Sequence, residues 1–256
     1  MNLIVGILIP FLGTTIGSSI VFLMTNEINK KIEKVLLGFT SGIMIAASVW
    51  SLILPALEMV ETKKYGWLFV SLGFLFGVLF LLILDKNISY FDKKINKKNF
   101  ENNFKKTAMM VIAVTLHNIP EGMAVGVIFA GALTPNSGVL MSSAFTLSIG
   151  IAIQNIPEGA IISMPLKTHK VSKTKAFIYG TLSGIVEPIS SFFTILLTNS
   201  IVQILPFLLS FAAGAMIKVV IQELIPDSQN GESSHLGTLG VTFGFLVMMI
   251  LDVTLG

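Results

Sequence analysis

The chain has 256 residues, of which 53% are apolar and only 12% charged, and its mean hydropathy is +0.84. Water-soluble domains carry about twice that share of charge, so the solvent of this chain is lipid. It has no cysteine, which excludes disulfides and thiolate metal sites and leaves methionine and histidine as the soft ligands.

Apolar runs of about 20 residues, enough to cross ~30 Å of hydrocarbon, fall near 3–24, 35–58, 66–85, 107–131, 138–163, 176–198, 202–226 and 237–255. They predict an all-α membrane protein of eight spans in one integral domain, 1–256. The first run has no basic residue ahead of it and is read as a retained span, not a leader. After it come Lys30, Lys31 and Lys34, and then the second span, which holds Met44. Lys63 and Lys64 precede the third span. The stretch 86–106 is rich in lysine and asparagine and is expected to be a mobile cytosolic loop. It carries Lys86, Lys93, Lys94, Lys97, Lys98, Lys105 and Lys106.

The fourth and fifth spans hold the words HNIPEG, 117–122, and QNIPEG, 154–159. His117 and Glu121 are four apart, as are Gln154 and Glu158. Asn118 and Asn155 stand three before those same glutamates, so each set shares a helix face. Pro120 and Pro157 remove helical partners from the carbonyls of Leu116 and Ile153, so a kink is expected in each span. Irregular backbone at membrane depth is tolerated beside a polar cavity. Gly122 and Gly159 allow another helix to come close.

Beyond Lys167, Lys170, Lys173 and Lys175, the sixth span brings Glu187–Pro188, the acid–proline theme once more. The seventh holds Lys218, Gln222 and Glu223. A carboxylate at a helix centre costs about 2.5–3.5 kcal/mol on insertion scales, and such groups usually mark an ion or proton path. Glu121, Glu158, Glu187 and Glu223 are four such groups, which is too many for interhelical hydrogen-bond glue. Oxygen donors with one imidazole suit Zn²⁺, Mn²⁺, Fe²⁺ or Cd²⁺. Lys218 is read as either snorkelling or neutralising a glutamate.

Fourteen of these lysines lie on one side of the eight-span chain, and Lys63 and Lys64 on the other. The positive-inside rule then puts loops 1–2, 3–4 and 5–6 in the cytoplasm and both termini outside the cell membrane. The net charge of +3 reports this topology and not nucleic-acid binding.

The two words together with Glu187–Pro188, IQELIPDS at 221–228 and SGIMIAASVWSLILPALE at 41–58 resemble the ZIP family of divalent-metal transporters, bacterial branch. The resemblance implies spans one to three related to six to eight by an inverted repeat around the central four–five pair. It implies two adjacent sites for the transported ion, Zn²⁺ foremost, with no catalytic cofactor. One site would use Met44, His117, Glu121, Gln154 and Glu158. The other would use Asn118, Glu121, Asn155, Glu158 and Glu187, so that Glu121 and Glu158 bridge. Gln222 and Glu223 are implied as exit-side ligands. The resemblance also implies a bundle of spans one, four, five and six sliding along the rest, inward transport, and a homodimer.

Gln154 stands where many relatives have histidine, Gln222 where His-Glu is common, and loop 3–4 lacks a histidine run. These departures predict weaker discrimination among Zn²⁺, Cd²⁺, Mn²⁺ and Fe²⁺ than a two-histidine site would give. His169 and His235 are read as solvent-facing. A cation/calcium exchanger is the nearest rival, although it usually has longer chains and lacks the histidine. An intramembrane metalloprotease would need H-E-x-x-H, which does not occur, so no enzyme is expected.

Overall fold

In lipid a backbone finds no water to bond, so apolar segments close their own hydrogen bonds as helices. The computed structural model describes residues 3–23, 29–96, 102–135, 137–168, 171–198 and 202–255. At 85, 87–96, 102–114, 116, 117, 165, 168, 198 and 202 it describes the backbone alone. Every regular element among these residues is helical. They are α1 (Leu3–Ser19), α2 (Lys30–Ala47), α3 (Leu54–Glu58), α4 (Gly66–Asn96), α5 (Asn102–Leu133), α6 (Met141–Thr168), α7 (Lys173–Gly184), α8 (Val186–Thr198), α9 (Leu205–Val219), α10 (Ile225–Gln229) and α11 (Ser234–Leu255).

Among the described residues, seven helical stretches are long and apolar enough to cross a membrane. They are Leu3–Phe22, Lys30–Glu58, Gly66–Leu84, Met141–Met164, Lys173–Leu197, Leu205–Gln229 and Ser234–Leu255. Within α5 the stretch Asn118–Leu133 is apolar but shorter. The polar stretch expected as a loop over 86–106 is helical backbone up to Asn96 and again from Asn102. No glycine or proline occurs between Gly77 and Pro120, so nothing in that sequence stops a helix.

Prolines shape three of the helices. α2 runs into α3 through a π-helical turn, Ser48–Ile53, and α9 runs into α10 through another, Val220–Leu224. Pro55 and Pro226 follow them. A proline lacks an N–H and crowds the carbonyl four residues back. Widening the turn before it keeps the next donor bonded: Leu54 N–H reaches Val49 O, and Ile225 N–H reaches Val220 O. Between α7 and α8 a single residue, Ile185, interrupts the helix ahead of Pro188. Pro120 and Pro157, in contrast, lie inside the continuous helices α5 and α6.

Four words of the form G-x-x-x-G, one on each of α1, α2, α4 and α5, set the helix pairing. Gly13 and Gly17 of α1 meet Ala152 and Ile156 of α6, and Gly38 and Gly42 of α2 meet Gly237 and Val241 of α11. Gly73 and Gly77 of α4 meet Phe207 and Phe211 of α9, and Gly122 and Gly126 of α5 meet Glu187 and Ser191 of α8. At each of the eight, a Cβ would stand under 3.0 Å from the partner's carbonyl oxygen. Only glycine admits that approach, which small-residue stripes provide in lipid. In every pair both helices advance four residues together, so all four pairs run parallel. The core between them is aliphatic and fully buried at Ile43, Ala47, Val125, Ile128, Leu147 and Leu209.

Candidate metal site

The polar groups of the two repeated words converge in this core. Asn118 and Glu121 on α5, Gln154 and Asn155 on α6, and Glu187 in the first turn of α8 are all buried; Glu158 on α6 is half-buried. Glu187 enters through the interruption at Ile185, which puts its carboxylate at a helix N-terminus, where the dipole favours negative charge.

Glu187 is held by three donors. Its Oε1 accepts from Thr14 Oγ1 at 3.0 Å and from Asn118 Nδ2 at 3.2 Å, and its Oε2 accepts from Asn155 Nδ2 at 2.9 Å. The two asparagine amides also donate to backbone: Asn118 to Ser183 O at 3.2 Å and Asn155 to Pro10 O at 3.3 Å. Glu121 Oε1 accepts from Gln154 Nε2 at 2.8 Å. Glu158 lies within electrostatic reach of both Glu121 and Glu187. Amide NH₂ groups thus stand against carboxylates that would otherwise repel one another.

That arrangement spends the donors and leaves acceptors over. Glu121 Oε2, Gln154 Oε1, Asn118 Oδ1 and Asn155 Oδ1 are buried and have no hydrogen-bond partner among the described residues. An unsatisfied buried polar atom costs about 1–3 kcal/mol. Four oxygens of one polarity, on helices that already bring carboxylates together, fit the oxygen-donor set of a hard or borderline cation.

Among the described residues, no group of three or more His, Cys, Asp or Glu side chains is gathered closely enough to hold an ion. The amides lie between the carboxylates and take that role. The His117 side chain lies outside the described residues, as does His169. Met44 is buried one turn beyond Thr40 on α2, and Thr40 Oγ1 donates to Gln154 O at 3.3 Å, so Met44 shares the face that meets α6. Gln222 is exposed on the widened turn before α10, and His235 is exposed on α11.

Sequence reasoning missed Thr14, Thr40 and Ser191. Ser191 Oγ donates to Gly122 O at 2.7 Å, bracing α8 on α5 beside the site. A hydroxyl in a span is a weak signal by itself. Thr14 and Glu187 are 173 residues apart, so no local spacing links them.

The sequence profile of the family described as "ZIP Zinc transporter" matches residues 2–109 and 104–252. The chain belongs to the ZIP family. It is 33% identical to zinc transporter ZIP11 of Xenopus tropicalis, over 99% of this chain and 97% of that protein. It is 33% identical to zinc transporter GufA of Myxococcus xanthus, over 95% and 96% of the two chains. With zinc transporter ZupT of Streptococcus mutans the identity is 35%, over 93% and 92%. As a ZIP protein with seven helices apolar enough to span among its described residues, the chain is an integral membrane protein.

Proposed function

We propose that this chain carries divalent transition-metal cations across the cell membrane into the cytoplasm, Zn²⁺ first and with it Cd²⁺, Mn²⁺ and Fe²⁺. The observation that carries the reading is the set of four unpartnered buried oxygens on α5 and α6, beside the carboxylates of Glu121, Glu158 and Glu187. Two adjacent ions share the site. Met44, His117, Glu121, Gln154 and Glu158 hold one, and Asn118, Glu121, Asn155, Glu158 and Glu187 hold the other. The amides release the carboxylates as the ions arrive and turn their own oxygens inward.

The finer architecture belongs to the same reading: eight spans, with α1 to α4 related to α7 to α11 by an inverted repeat around α5 and α6. The parallel pairing supports it, because alternating spans can pair in parallel only odd with odd and even with even. Counting α2–α3, α7–α8 and α9–α10 as single spans, the glycine pairs are one–five, two–eight, three–seven and four–six. The repeat exchanges one–five with six–four and two–eight with seven–three, and it superposes the two π turns on spans two and seven.

These pairs are compatible with the two groups that the family resemblance implies, one of spans one, four, five and six, the other of two, three, seven and eight. Between the groups the close glycine approaches meet side chains instead of backbone, as where Gly150 faces Met248. A flexible side chain can give way, so the groups are free to slide and alternate access to the midplane site. A homodimer and outward termini complete the reading.

Uptake into proteoliposomes, measured across Zn²⁺, Cd²⁺, Mn²⁺, Fe²⁺ and Ca²⁺, tests it. Transition metals enter, and Glu121→Ala and Glu158→Ala each nearly abolish entry. Uptake of Ca²⁺ alone would turn the assignment to a cation/calcium exchanger.

A further inference from the structure

Lys218 is the lysine that the apolar spans retain, and ionisable groups in such places mark function by default. Its side chain is 2% exposed, and its Nζ lies 3.0 Å from Glu223 Oε1, on a side chain that is 33% exposed. At 3.6 residues per turn, positions five apart stand about 140° apart on a helix and do not meet. The π turn Val220–Leu224 begins after Lys218 and contains Glu223, and its i→i+5 spacing brings the two onto one side. The widened turn that accommodates Pro226 therefore also makes the ion pair. Asp227, a turn further on, feels the charge of Glu223 and is exposed.

We propose that Lys218 is a tethered counter-cation that occupies Glu223 and keeps transported metal from resting there. The site is at the α10 end of the bundle, which the lysine distribution assigns to the cytoplasm. The inference rests on the metal-transport reading and adds what becomes of the ion after it leaves the central cluster. Gln222, Glu223 and Asp227 supply three oxygen-bearing side chains within six positions at the helix end. With Glu223 free, a departing dication would be held there by carboxylate oxygens. With the ammonium in place, the carboxylate is already satisfied and a fixed positive charge stands beside it. The ion then passes on, and cytoplasmic metal does not rebind. Lys218 is a positioning residue in this scheme and touches no metal.

The test is the number of Zn²⁺ ions bound per full-length purified chain, read by equilibrium dialysis. Lys218→Gln binds one ion more than the unmodified chain, Lys218→Arg binds the same number, and Lys218→Gln with Glu223→Gln loses the added ion. Unchanged stoichiometry in Lys218→Gln overturns the proposal. If Lys218→Gln does not fold, Glu223→Gln alone decides, because an acid already occupied by lysine contributes no bound ion. Its stoichiometry then matches the unmodified chain, and loss of an ion overturns the proposal. Zn²⁺ uptake by the unmodified chain is measured separately. Its absence would sink the transport reading, while the stoichiometries still decide the role of Lys218.

Discussion

Glu121→Gln separates metal binding from folding, because the two should move in opposite directions. In the metal-free site Glu121 Oε1 accepts from Gln154 and Oε2 has no partner. Glutamine keeps the acceptor and replaces the other oxygen with an NH₂ among the unpartnered oxygens of Gln154, Asn118 and Asn155. Satisfying one of them returns about 1–3 kcal/mol, and a buried charge is removed as well. At about 2–4 °C per kcal/mol for a chain of this size, the metal-free melting temperature should hold or rise by a few degrees. Binding should collapse. Losing a residue that only supports a ligand costs about 10–100-fold in affinity, so losing a bridging carboxylate should exceed about 100-fold. At Zn²⁺ concentrations near 100 times the unmodified Kd, binding stabilises by about 2.7 kcal/mol, a rise of roughly 5–10 °C. That rise should vanish in Glu121→Gln. The assay is thermal melting in detergent with and without Zn²⁺, alongside competition against a chelating dye. Affinity within tenfold of the unmodified chain would refute the bridging role, and a metal-free melting point lowered by several degrees would refute the hydrogen-bond argument.

Gln154→His replaces an amide oxygen with an imidazole nitrogen, so Zn²⁺ should gain over Mn²⁺ in competition binding. The gain should shrink below about pH 6.5 as imidazole protonates, and an unchanged ratio at both pH values would remove residue 154 from the site. In this cysteine-free chain, Asn96→Cys and Lys170→Cys should be shielded from an impermeant thiol reagent in intact cells, and Lys63→Cys should label. Reversed labelling would overturn the orientation. Gly17→Leu should lower the melting temperature and uptake together, because its side chain meets the backbone at Ile156. The same change at Gly150, which faces only the Met248 side chain, should be milder, and equal losses would argue against a soft boundary between the groups.

The repeated words were legible because their chemistry is local. Residues three and four apart share a face wherever a helix forms, so both acid–amide sets could be read before any fold was known. The donors to Glu187 could be read only in part. Asn118 and Asn155 stand in those words, but Thr14 comes from another span, and nothing in GTTIG distinguishes it from Thr15, whose hydroxyl turns to Phe11 O. Lys218 and Glu223 show the opposite difficulty. Their spacing reads as two faces of one helix, and only the π turn before Pro226 makes them neighbours. Pro55 and Pro226 did not reveal these turns in advance, because a proline in a span promises a disturbance without saying whether it will be a kink, a break or a widened turn. Of the eight glycines, the sequence reading singled out Gly122 alone, and words of the same form stand at 180–184 and 240–244 as well. What each one meets is set by a helix elsewhere in the chain.

The glycine stripes and the polar residues are not independent layers. On α5, Gly122 follows Glu121 directly and seats the helix on the backbone at Glu187. One close approach therefore fixes the distance between two of the carboxylates. On α6, Ala152 and Ile156, which receive Gly13 and Gly17, flank Gln154 and Asn155, and the same contact sets Thr14 against Glu187. Thr14, Asn118, Glu121, Gln154, Asn155 and Glu187 are thus held by two backbone-tight pairs, α1 on α6 and α5 on α8. Thr40 and Met44 stand on α2, outside both pairs, and Thr40 reaches α6 through a 3.3 Å hydroxyl bond. Where packing is rigid, the oxygen cluster keeps its shape. Where it is soft, the contacts are a hydroxyl and a thioether, the side chains that give way most easily when one helix shifts past another.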